Sequence, residues 1–300
     1  MAPAARTRPD MRLGFAGLGR MGTRMAANAA RAGFDVMVWN RSPEPAARLA
    51  TEVPVGIAAS LGELAARSAV IVSMLANDEA ARAVHLGDGG LVASGGAECI
   101  VEMGTISPEL VTGIAAEASA RGKRFLDAPV SGATQAAADA QLLVMAGGRE
   151  AGYPDLPPVF GAMARKVIWL GQSGQGAVMK LAVNMLIHGI NQTLSEALAL
   201  AGRCGIDEAL AFDVVESSAA AAPMLSYRRP LYLDEAAHPV SFTVDLAAKD
   251  VGLALDLARR HGVSMPQTRA TLDVLDAACR AGFSGRDMAS ILTFMKEARP

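Results

Sequence analysis

The sequence predicts an α/β fold in which an N-terminal, doubly wound parallel sheet precedes an all-α C-terminal domain. From residue 11 to about residue 170, short β-branched runs alternate with helical segments, as in parallel sheets with crossover helices. After Gly176 the pattern becomes helical throughout, and a long apolar helical run, 177–202, opens this second half. We therefore predict a sheet domain over 11–172, an all-α domain over 173–300, and one long inter-domain helix.

Several short apolar runs are predicted to be strands, and helices are predicted where apolar residues repeat at helical spacing. The predicted strands are residues 11–16, 35–39, 69–74, 99–102, 124–127, 142–145 and 166–169. Ser60, Asn77 and Ser107 precede helical segments of the first half. We predict that each begins a helix, because its side chain can cap free backbone amides. Further predicted helices are 20–32, 177–202, 207–217, 243–261, 266–281 and 287–297.

The helix predicted over 177–202 carries Leu, Met, Ile and Ala on nearly every side. A helix that is apolar all round is typically buried all round. We therefore expect every face of this helix to be covered, with a second subunit supplying part of the cover.

Composition excludes several classes of partner and site. The formal net charge of −2 gives no reason to expect nucleic acid or an anionic membrane as a partner. No run of about 18 apolar residues is present, so no transmembrane helix is predicted. Residues 1–10 lack the apolar stretch of a signal peptide and are predicted to be a disordered extension. Cys99, Cys204 and Cys279 are far apart, which predicts no metal site and fits buried structural thiols in a reducing cytoplasm.

A glycine-rich segment lies between the first predicted strand and the first predicted helix. It consists of Gly17, Leu18, Gly19, Arg20, Met21 and Gly22. Glycines in this spacing permit a tight turn, close approach of the backbone to a pyrophosphate, and close packing of helix on strand. Free amides at the start of the helix then bind phosphate. The segment therefore predicts dinucleotide binding by a Rossmann domain.

The residues after the second predicted strand indicate which dinucleotide is bound. Domains that bind NAD often place a carboxylate here on the ribose 2′-hydroxyl, whereas this chain has Asn40, Arg41 and Ser42. A guanidinium can pair with a 2′-phosphate, which a carboxylate would repel. We therefore hypothesise NADP(H) as the cofactor, with NADPH preferred over NADH. The alternative is that Arg41 is a solvated loop arginine.

Ligands of doubly wound sheets bind beyond the carboxyl ends of the strands, so residues that follow strands are candidates. Met74 ends one predicted strand and Leu75 and Ala76 follow it, and all three are expected to flank the cofactor. Thr105 follows the next strand, and its hydroxyl could bond the nicotinamide amide or the ribose. A helix-capping loop is the alternative for Thr105.

A third strand end offers groups for a small anion. Pro129 stiffens the turn after the strand 124–127, and Ser131 and Gly132 then provide a hydroxyl and accessible backbone amides. This combination suits a small carboxylate. An ordinary Ser-Gly turn is the alternative.

Two polar pairs in the second half are further candidates. Lys180 and Asn184 are i and i+4, so they share one face of the apolar helix. An ammonium there is costly unless a partner or ligand meets it, and burial lowers a lysine pKa as a proton donor near neutrality requires. A structural salt bridge is the alternative. Lys249 and Asp250 are adjacent and cannot form a same-face pair. We interpret them as a solvated face, and the alternative is that one of the two points inward. His188 is interpreted as a packing or interface histidine.

With these residues assembled, the chain resembles the β-hydroxyacid dehydrogenase family, which includes 3-hydroxyisobutyrate dehydrogenases and glyoxylate/succinic semialdehyde reductases. The likeness covers residues 11–297. It rests on four motifs in the family's order and spacing: the glycine segment 17–22, Asp127 to Gly132, Gly174 through Lys180 to Asn184, and Lys249-Asp250.

The resemblance implies a role for each of these motifs. Lys180 would be the general acid/base and Asn184 would position it and the substrate. The substrate carboxylate would be held by Ser131, Gly132 and Ala133. Lys249 would reach toward the nicotinamide side of the site. The resemblance also implies a homodimer or homotetramer built through the α-domain.

The chain departs from the family pattern at three places, with Ala133 and Val183 where glycine and asparagine are frequent, and Gly104 before Thr105 where serine is usual. The stretch Asn40 to Ser42 is more similar to the NADPH-using reductases of the family. The expected activity is hydride transfer between NADPH and a small aldehyde or keto acid. Imine reduction and a non-catalytic NADP-binding module are the alternatives, and the presence of Lys180 argues against both.

Overall fold

The computed structural model describes residues 11–297, and the extension expected at residues 1–10 lies outside the described part of the chain. The chain divides into two compact units, the first ending at Lys180 and the second beginning at Leu181. Within the described residues, no helix combines the length and apolar character needed to cross a membrane. No group of three or more His, Cys, Asp and Glu side chains in this described range could hold a metal ion.

The first unit is built on a six-stranded parallel sheet, which confirms the predicted fold class. Its strands are β1 Arg12–Ala16, β2 Asp35–Trp39, β3 Val55–Ile57, β4 Val70–Ser73, β5 Cys99–Glu102 and β6 Arg124–Asp127. Their order in the sheet is β3-β2-β1-β4-β5-β6. The order reverses beside β1, which creates the crevice where doubly wound sheets bind nucleotides. The sequence did not reveal β3, because three residues with a central glycine carry too little periodicity to be recognised.

Helices of the first unit cover this sheet on both faces. The α-helices of the unit are α1 Arg20–Arg31, α2 Glu44–Glu52, α3 Leu61–Ala66, α4 Asp78–Leu86, α5 Pro108–Ser119, α6 Thr134–Ala138 and α7 Leu156–Gly161. The three predicted caps are confirmed, since Ser60, Asn77 and Ser107 accept hydrogen bonds from the amides of Glu63, Ala80 and Leu110. Strands β4 and β5 are buried throughout, as expected for a sheet covered on both faces.

Two of the predicted strands lie outside the parallel sheet. They correspond to β8 Leu142–Ala146 and β9 Ala164–Trp169, which form a separate three-stranded sheet with the short strand β7 Val130–Ser131. Strand β7 runs antiparallel to β8, whereas β8 and β9 are parallel. The chain leaving β6 therefore turns back onto β8 and occupies its edge. The prediction of one sheet was wrong for β8 and β9, because strand pairing between distant segments cannot be read from local periodicity.

The second unit is all-α, as predicted. Its elements are the greater part of α8 Gln175–Arg203, then α9 Glu208–Ser217, α10 Pro223–Leu233, α11 Val244–Arg260, α12 Pro266–Ala278 and α13 Ile291–Glu297. The sequence did not reveal helix α10, because it contains Pro223 and Pro230 and proline usually interrupts a helix. Pro223 instead occupies the first turn, where its missing amide hydrogen is not needed.

Helix α8 is not buried all round within the chain. Met179, Leu186, Thr193 and Leu200 recur every seventh residue and are all exposed, Leu186 by 59% and Leu200 by 67%. We call these four residues the exposed α8 stripe. The chain itself does not cover this stripe, and the expected cover by a second subunit stays a prediction. Composition shows that a helix is apolar but not which neighbours cover it.

The cysteines differ in their surroundings. Cys99 is buried in β5, and burial raises the pKa of its thiol to about 11. Cys204 is exposed, so its interpretation as a buried structural thiol was wrong. It follows the C-terminal end of α8, a position whose exposure depends on tertiary packing.

The start of helix α8 is fixed by the carboxylate of Asp127, the last residue of β6. Asp127 is 1% exposed. Its Oδ1 accepts a hydrogen bond from the Gly174 amide at 2.9 Å, and its Oδ2 accepts one from the Ala177 amide at 3.0 Å. Amides at the start of a helix have no partner within the helix. Burial raises the pKa of Asp127, and the hydrogen bonds from these amides offset part of the rise.

Replacing Asp127 tests how much this anchor stabilises the fold. Asp127→Ala is expected to lower the free energy of unfolding by about 2–3 kcal/mol, because two buried amides lose their acceptor. Asp207→Ala is the matched control, since exposed Asp207 caps α9 by accepting from the Leu210 amide at 3.0 Å. Water can replace that cap, so its loss is expected to be about 1 kcal/mol or less.

The same variants test the pKa of Asp127. Because that pKa is raised on folding, the contribution of Asp127 is fully present below the unfolded-state pKa and declines as the pH rises through the folded-state pKa. The stability gap between wild type and Asp127→Ala is therefore expected to be wider at about pH 4 than at about pH 8. Urea unfolding at both pH values measures the gap. Equal losses for Asp127→Ala and Asp207→Ala would contradict the anchor.

Candidate dinucleotide and substrate site

The glycine segment forms the tight turn that the sequence predicted between β1 and α1. Gly17 has φ +96°, and a Cβ atom there would lie 2.5 Å from the carbonyl oxygen of Met74. A Cβ atom on Gly22 would lie 2.0 Å from the carbonyl oxygen of Gly17. Any larger residue at either position would therefore push α1 or the loop after β4 away from the turn.

The middle of the segment leaves room for a ligand. A Cβ atom on Gly19 would meet no atom within 4 Å. Helix α1 begins at the exposed Arg20 without a side-chain cap, so its first amides are available to an anion. Leu18 and Met21 instead direct their side chains into the core. Open space beside uncapped amides fits a pyrophosphate.

Asn40 connects the glycine segment to the loop after β2. Its Oδ1 accepts from the Leu18 amide at 2.9 Å, and its Nδ2 donates to the carbonyl oxygen of Ser42 at 2.9 Å. The side chain predicted to contact the cofactor therefore also shapes the loop. Arg41 and Ser42 are exposed at the end of β2.

The two loops predicted to flank the cofactor lie next to the glycine segment. Met74 contacts this segment through the close approach to Gly17. A Cβ atom on Gly104 would lie 2.4 Å from the carbonyl oxygen of Leu75. Ala76 is exposed and Thr105 half-buried. These close approaches place the loops after β1, β4 and β5 side by side at the carboxyl edge of the sheet.

A buried polar cluster supports these loops, and the sequence did not indicate it. Ser73 at the end of β4, His85 in α4 and Glu102 at the end of β5 are all buried and within hydrogen-bond distance of one another. The available signal was a polar residue at the end of each of two apolar strands. Nothing local connected them to His85, since the link depends on strands that pair side by side.

The segment predicted to hold a small carboxylate combines a strand end with a helix start. Ser131 is half-buried in β7, opposite Leu143 of β8. Gly132 is exposed, with φ +135°. Ala133 precedes α6 and provides no side-chain cap. A hydroxyl on a short, paired strand is therefore followed by main-chain amides between that strand and α6.

The polar residues of α8 and α11 have different surroundings from those that the sequence suggested. Asn184 is 4% exposed, and its Nδ2 donates to Oδ2 of Asp250 at 2.5 Å. Asp250 is 1% exposed, and Nζ of Lys249 lies 2.9 Å from its Oδ1. The solvated-face interpretation was wrong for Asp250, which points inward as the alternative allowed, and the partly exposed Lys249 reaches its carboxylate. Lys180 is partly exposed, one helical turn before Asn184.

His188 lies in the interior of the second unit. It is buried, and its ring centroid is 5.5 Å from that of Phe242. This environment agrees with its interpretation as a packing histidine.

Family comparisons cover nearly the whole chain. The model of the NAD-binding domain of 6-phosphogluconate dehydrogenase matches residues 12–171. The model described as NAD-binding of NADP-dependent 3-hydroxyisobutyrate dehydrogenase matches residues 174–295. Together they span both units.

Individual relatives are similar over their full lengths. The chain is 31% identical to glyoxylate/succinic semialdehyde reductase 1 of Arabidopsis thaliana, over 96% of this chain and 100% of the relative. It is 33% identical to 3-hydroxyisobutyrate dehydrogenase of Pseudomonas aeruginosa, over 93% and 96% respectively. The solved structure of 3-hydroxyisobutyrate dehydrogenase from Salmonella typhimurium matches with a TM-score of 0.87 and 31% identity, over 95% of this chain and 100% of that structure.

The matched residues thus include the glycine segment, the loops at the carboxyl edge and the greater part of the second unit. The chain is an oxidoreductase that belongs to the β-hydroxyacid dehydrogenase family.

Proposed function

We propose that the protein is an NADP(H)-dependent enzyme that interconverts a small hydroxy acid with its aldehyde or keto acid, with Lys180 as the general acid/base. The observation that carries this proposal is the position of Asp127. Its carboxylate binds the start of α8, the helix of Lys180, and the chain continues from it directly into Ser131 and Gly132. One anchored residue therefore determines where both the proton donor and the carboxylate-binding segment begin.

The names of the relatives support the substrate class. Glyoxylate, succinic semialdehyde and 3-hydroxyisobutyrate are all small carboxylic acids with a carbonyl or hydroxyl group nearby. A hydroxyl at Ser131 and main-chain donors at Gly132 suit the carboxylate that these molecules have in common.

The proposed mechanism assigns one task to each residue. When bound, NADPH supplies the hydride. Ser131 and Gly132 bind the substrate carboxylate, while Lys180 donates a proton to the oxygen of the carbonyl as it becomes an alkoxide. Asp250 orients the amide of Asn184, so that Asn184 can position Lys180 and the substrate. Proton transfer of this kind contributes about 10²- to 10⁴-fold in rate.

The cofactor preference rests on the end of β2. Asn40 folds the loop back on itself, and Arg41 is exposed beside the glycine segment. The strand has no carboxylate at its end that would bind a ribose 2′-hydroxyl or repel a 2′-phosphate. This arrangement supports NADPH over NADH.

We also propose that the protein is a homodimer or homotetramer in which a second copy covers the exposed α8 stripe. Leu210 and Val214 of α9 are likewise exposed, by 56% and 62%. Three of the four stripe residues and both α9 residues are apolar, and exposing such side chains to water is costly.

Removing the amine of Lys180 tests the central assignment. Lys180→Ala is expected to lower kcat by at least about 10²-fold, because the alkoxide loses its proton donor, while the Kd of NADPH stays within about threefold. Lys166→Ala, at an exposed lysine of the same unit, is the control. Reduction of glyoxylate, succinic semialdehyde and a cyclic imine, followed by NADPH absorbance, gives the rates. A Lys180→Ala enzyme with full turnover would overturn the assignment, and a preference for the imine would favour the imine reductase alternative.

Removing the guanidinium of Arg41 tests the cofactor preference. Arg41→Ala is expected to raise the Kd of NADPH by about 10- to 100-fold, because the 2′-phosphate loses a charge-assisted hydrogen bond, and to leave the Kd of NADH nearly unchanged. Arg48→Ala, at an exposed arginine in α2, is the control. Fluorescence titration gives both constants. Tighter binding of NADH than NADPH by wild type would refute the preference.

Placing a charge on the exposed α8 stripe tests the oligomer. Leu200→Glu is expected to shift the sedimentation coefficient toward the monomer at micromolar concentration, because an interface that buries a carboxylate without a partner is destabilised. Val263→Glu is the control, because Val263 is similarly exposed, by 57%, but lies outside the stripe. A wild-type protein that sediments as a monomer would contradict the proposal.

A further inference from the structure

The buried cluster of Ser73, His85 and Glu102 has no role in the mechanism above. Oε2 of Glu102 accepts a hydrogen bond from Oγ of Ser73 at 2.6 Å and lies 2.8 Å from Nε2 of His85. Glu102 is 1% exposed, and the other two side chains are fully buried. A buried carboxylate is costly unless hydrogen bonds compensate for the lost water. No substrate can reach these side chains, so the cluster cannot perform chemistry and acts through what it holds.

The carboxylate of Glu102 binds both loops that flank the predicted cofactor site. Its Oε1 accepts from the amide of Gly104 at 2.7 Å, in the loop after β5. Its Oε2 binds Ser73, which directly precedes the loop after β4. One carboxylate therefore sets the distance between two loops that come from adjacent strands.

The backbones of these loops are in direct contact. A Cβ atom on Gly104 would lie 2.4 Å from the carbonyl oxygen of Leu75 and 2.6 Å from Oε1 of Glu102. Only a glycine fits this approach. A shift of the carboxylate would therefore move the backbone of Leu75 or of the segment that leads to Thr105.

A second link joins the same loops at their far ends. Asp78, the first residue of α4, accepts hydrogen bonds from the amide and the hydroxyl of Ser107, which caps α5. Hydrogen bonds thus connect the two loops both where they leave the sheet and where they enter their helices.

His85 connects the cluster to α4. Its ring packs edge-on against Phe125, with the planes at 89° and the centroids 5.6 Å apart. Among the described residues Nδ1 has no hydrogen-bond partner, so the ring acts on the cluster through Nε2 alone. The ring therefore holds the carboxylate of Glu102 from the side of α4.

We propose that Glu102 is a positioning residue for the nicotinamide end of the cofactor, acting through the loops that carry Leu75 and Thr105. The inference rests on the proposed function, because it needs a dinucleotide whose phosphates lie on the glycine segment. A dinucleotide bound there would cross the strand ends, where the loops after β4 and β5 would be the next that it meets. Its adenine end would lie on the other side, beside β2.

The test compares ligands with and without the nicotinamide ring. Glu102→Leu is expected to raise the Kd of NADPH at least about tenfold and to lower kcat by a similar factor, because loosened loops misplace the ring. The Kd of 2′-phospho-ADP-ribose, which lacks only that ring, is expected to stay within about threefold of wild type. If NADH is the tighter ligand, NADH and ADP-ribose replace this pair. Fluorescence and calorimetric titrations give the constants.

Three further variants separate positioning from general damage to the fold. Glu102→Gln keeps an oxygen for the Gly104 amide and is expected to restore NADPH binding to within about threefold of wild type. Tyr153→Phe removes a different hydrogen bond, to the carbonyl oxygen of Phe125 at 2.7 Å, and is expected to leave both Kd values unchanged. Ser73→Ala removes a single hydrogen bond, so it provides the same comparison if Glu102→Leu does not fold, with a loss of about three- to tenfold.

Each outcome either supports or overturns the proposal that Glu102 positions the nicotinamide end of the cofactor. A loss for NADPH alone supports positioning, whereas equal losses for both ligands, or no loss, would overturn it. If wild type binds NADPH but reduces none of the carbonyl substrates, the proposed function fails while the comparison of ligands still tests Glu102. If Glu102→Leu turns over and binds as wild type does, the inference fails and the proposed function stands. A wild-type chain that binds neither dinucleotide would contradict both.

Discussion

The hydrogen bonds that Asp127 accepts from the amides of Gly174 and Ala177 are the constraint on which the site depends. They hold the start of α8 against the end of β6, in a position that water cannot reach. The segment with Ser131 leaves the sheet at the same residue. A carboxylate at this strand end therefore fixes the origin of two elements that are separate in sequence.

Glu102 follows the same principle on the neighbouring strand. In the parallel ladder of β5 and β6, Glu102 and Asp127 are paired residues. Each is a buried carboxylate at the end of its strand, and each accepts a hydrogen bond from a backbone amide in a loop or at the start of a helix. The carboxyl edge of the sheet thus carries two adjacent acceptors, one that binds the loops after β4 and β5 and one that binds the start of α8. Rigid support of this kind keeps site residues in a productive geometry.

Local features could be predicted from the sequence, and features that depend on distant pairing could not. The glycine segment and the caps at Ser60, Asn77 and Ser107 follow from steric and hydrogen-bond requirements within a few residues. The burial of Asp250 and the cluster around Glu102 depend on elements that meet only in the folded chain. The exposed α8 stripe is similar, because periodicity identifies an apolar helix but not its neighbours.

Amide hydrogen exchange across residues 171–182 tests the anchoring role of Asp127 most directly. In Asp127→Ala, the amides of Gly174 and Ala177 are expected to exchange at least about tenfold faster than in wild type, because they lose their acceptor. Amides of Val244–Arg260 should exchange at the wild-type rate and serve as the internal reference. Unchanged protection at Gly174 and Ala177 in Asp127→Ala would contradict the account.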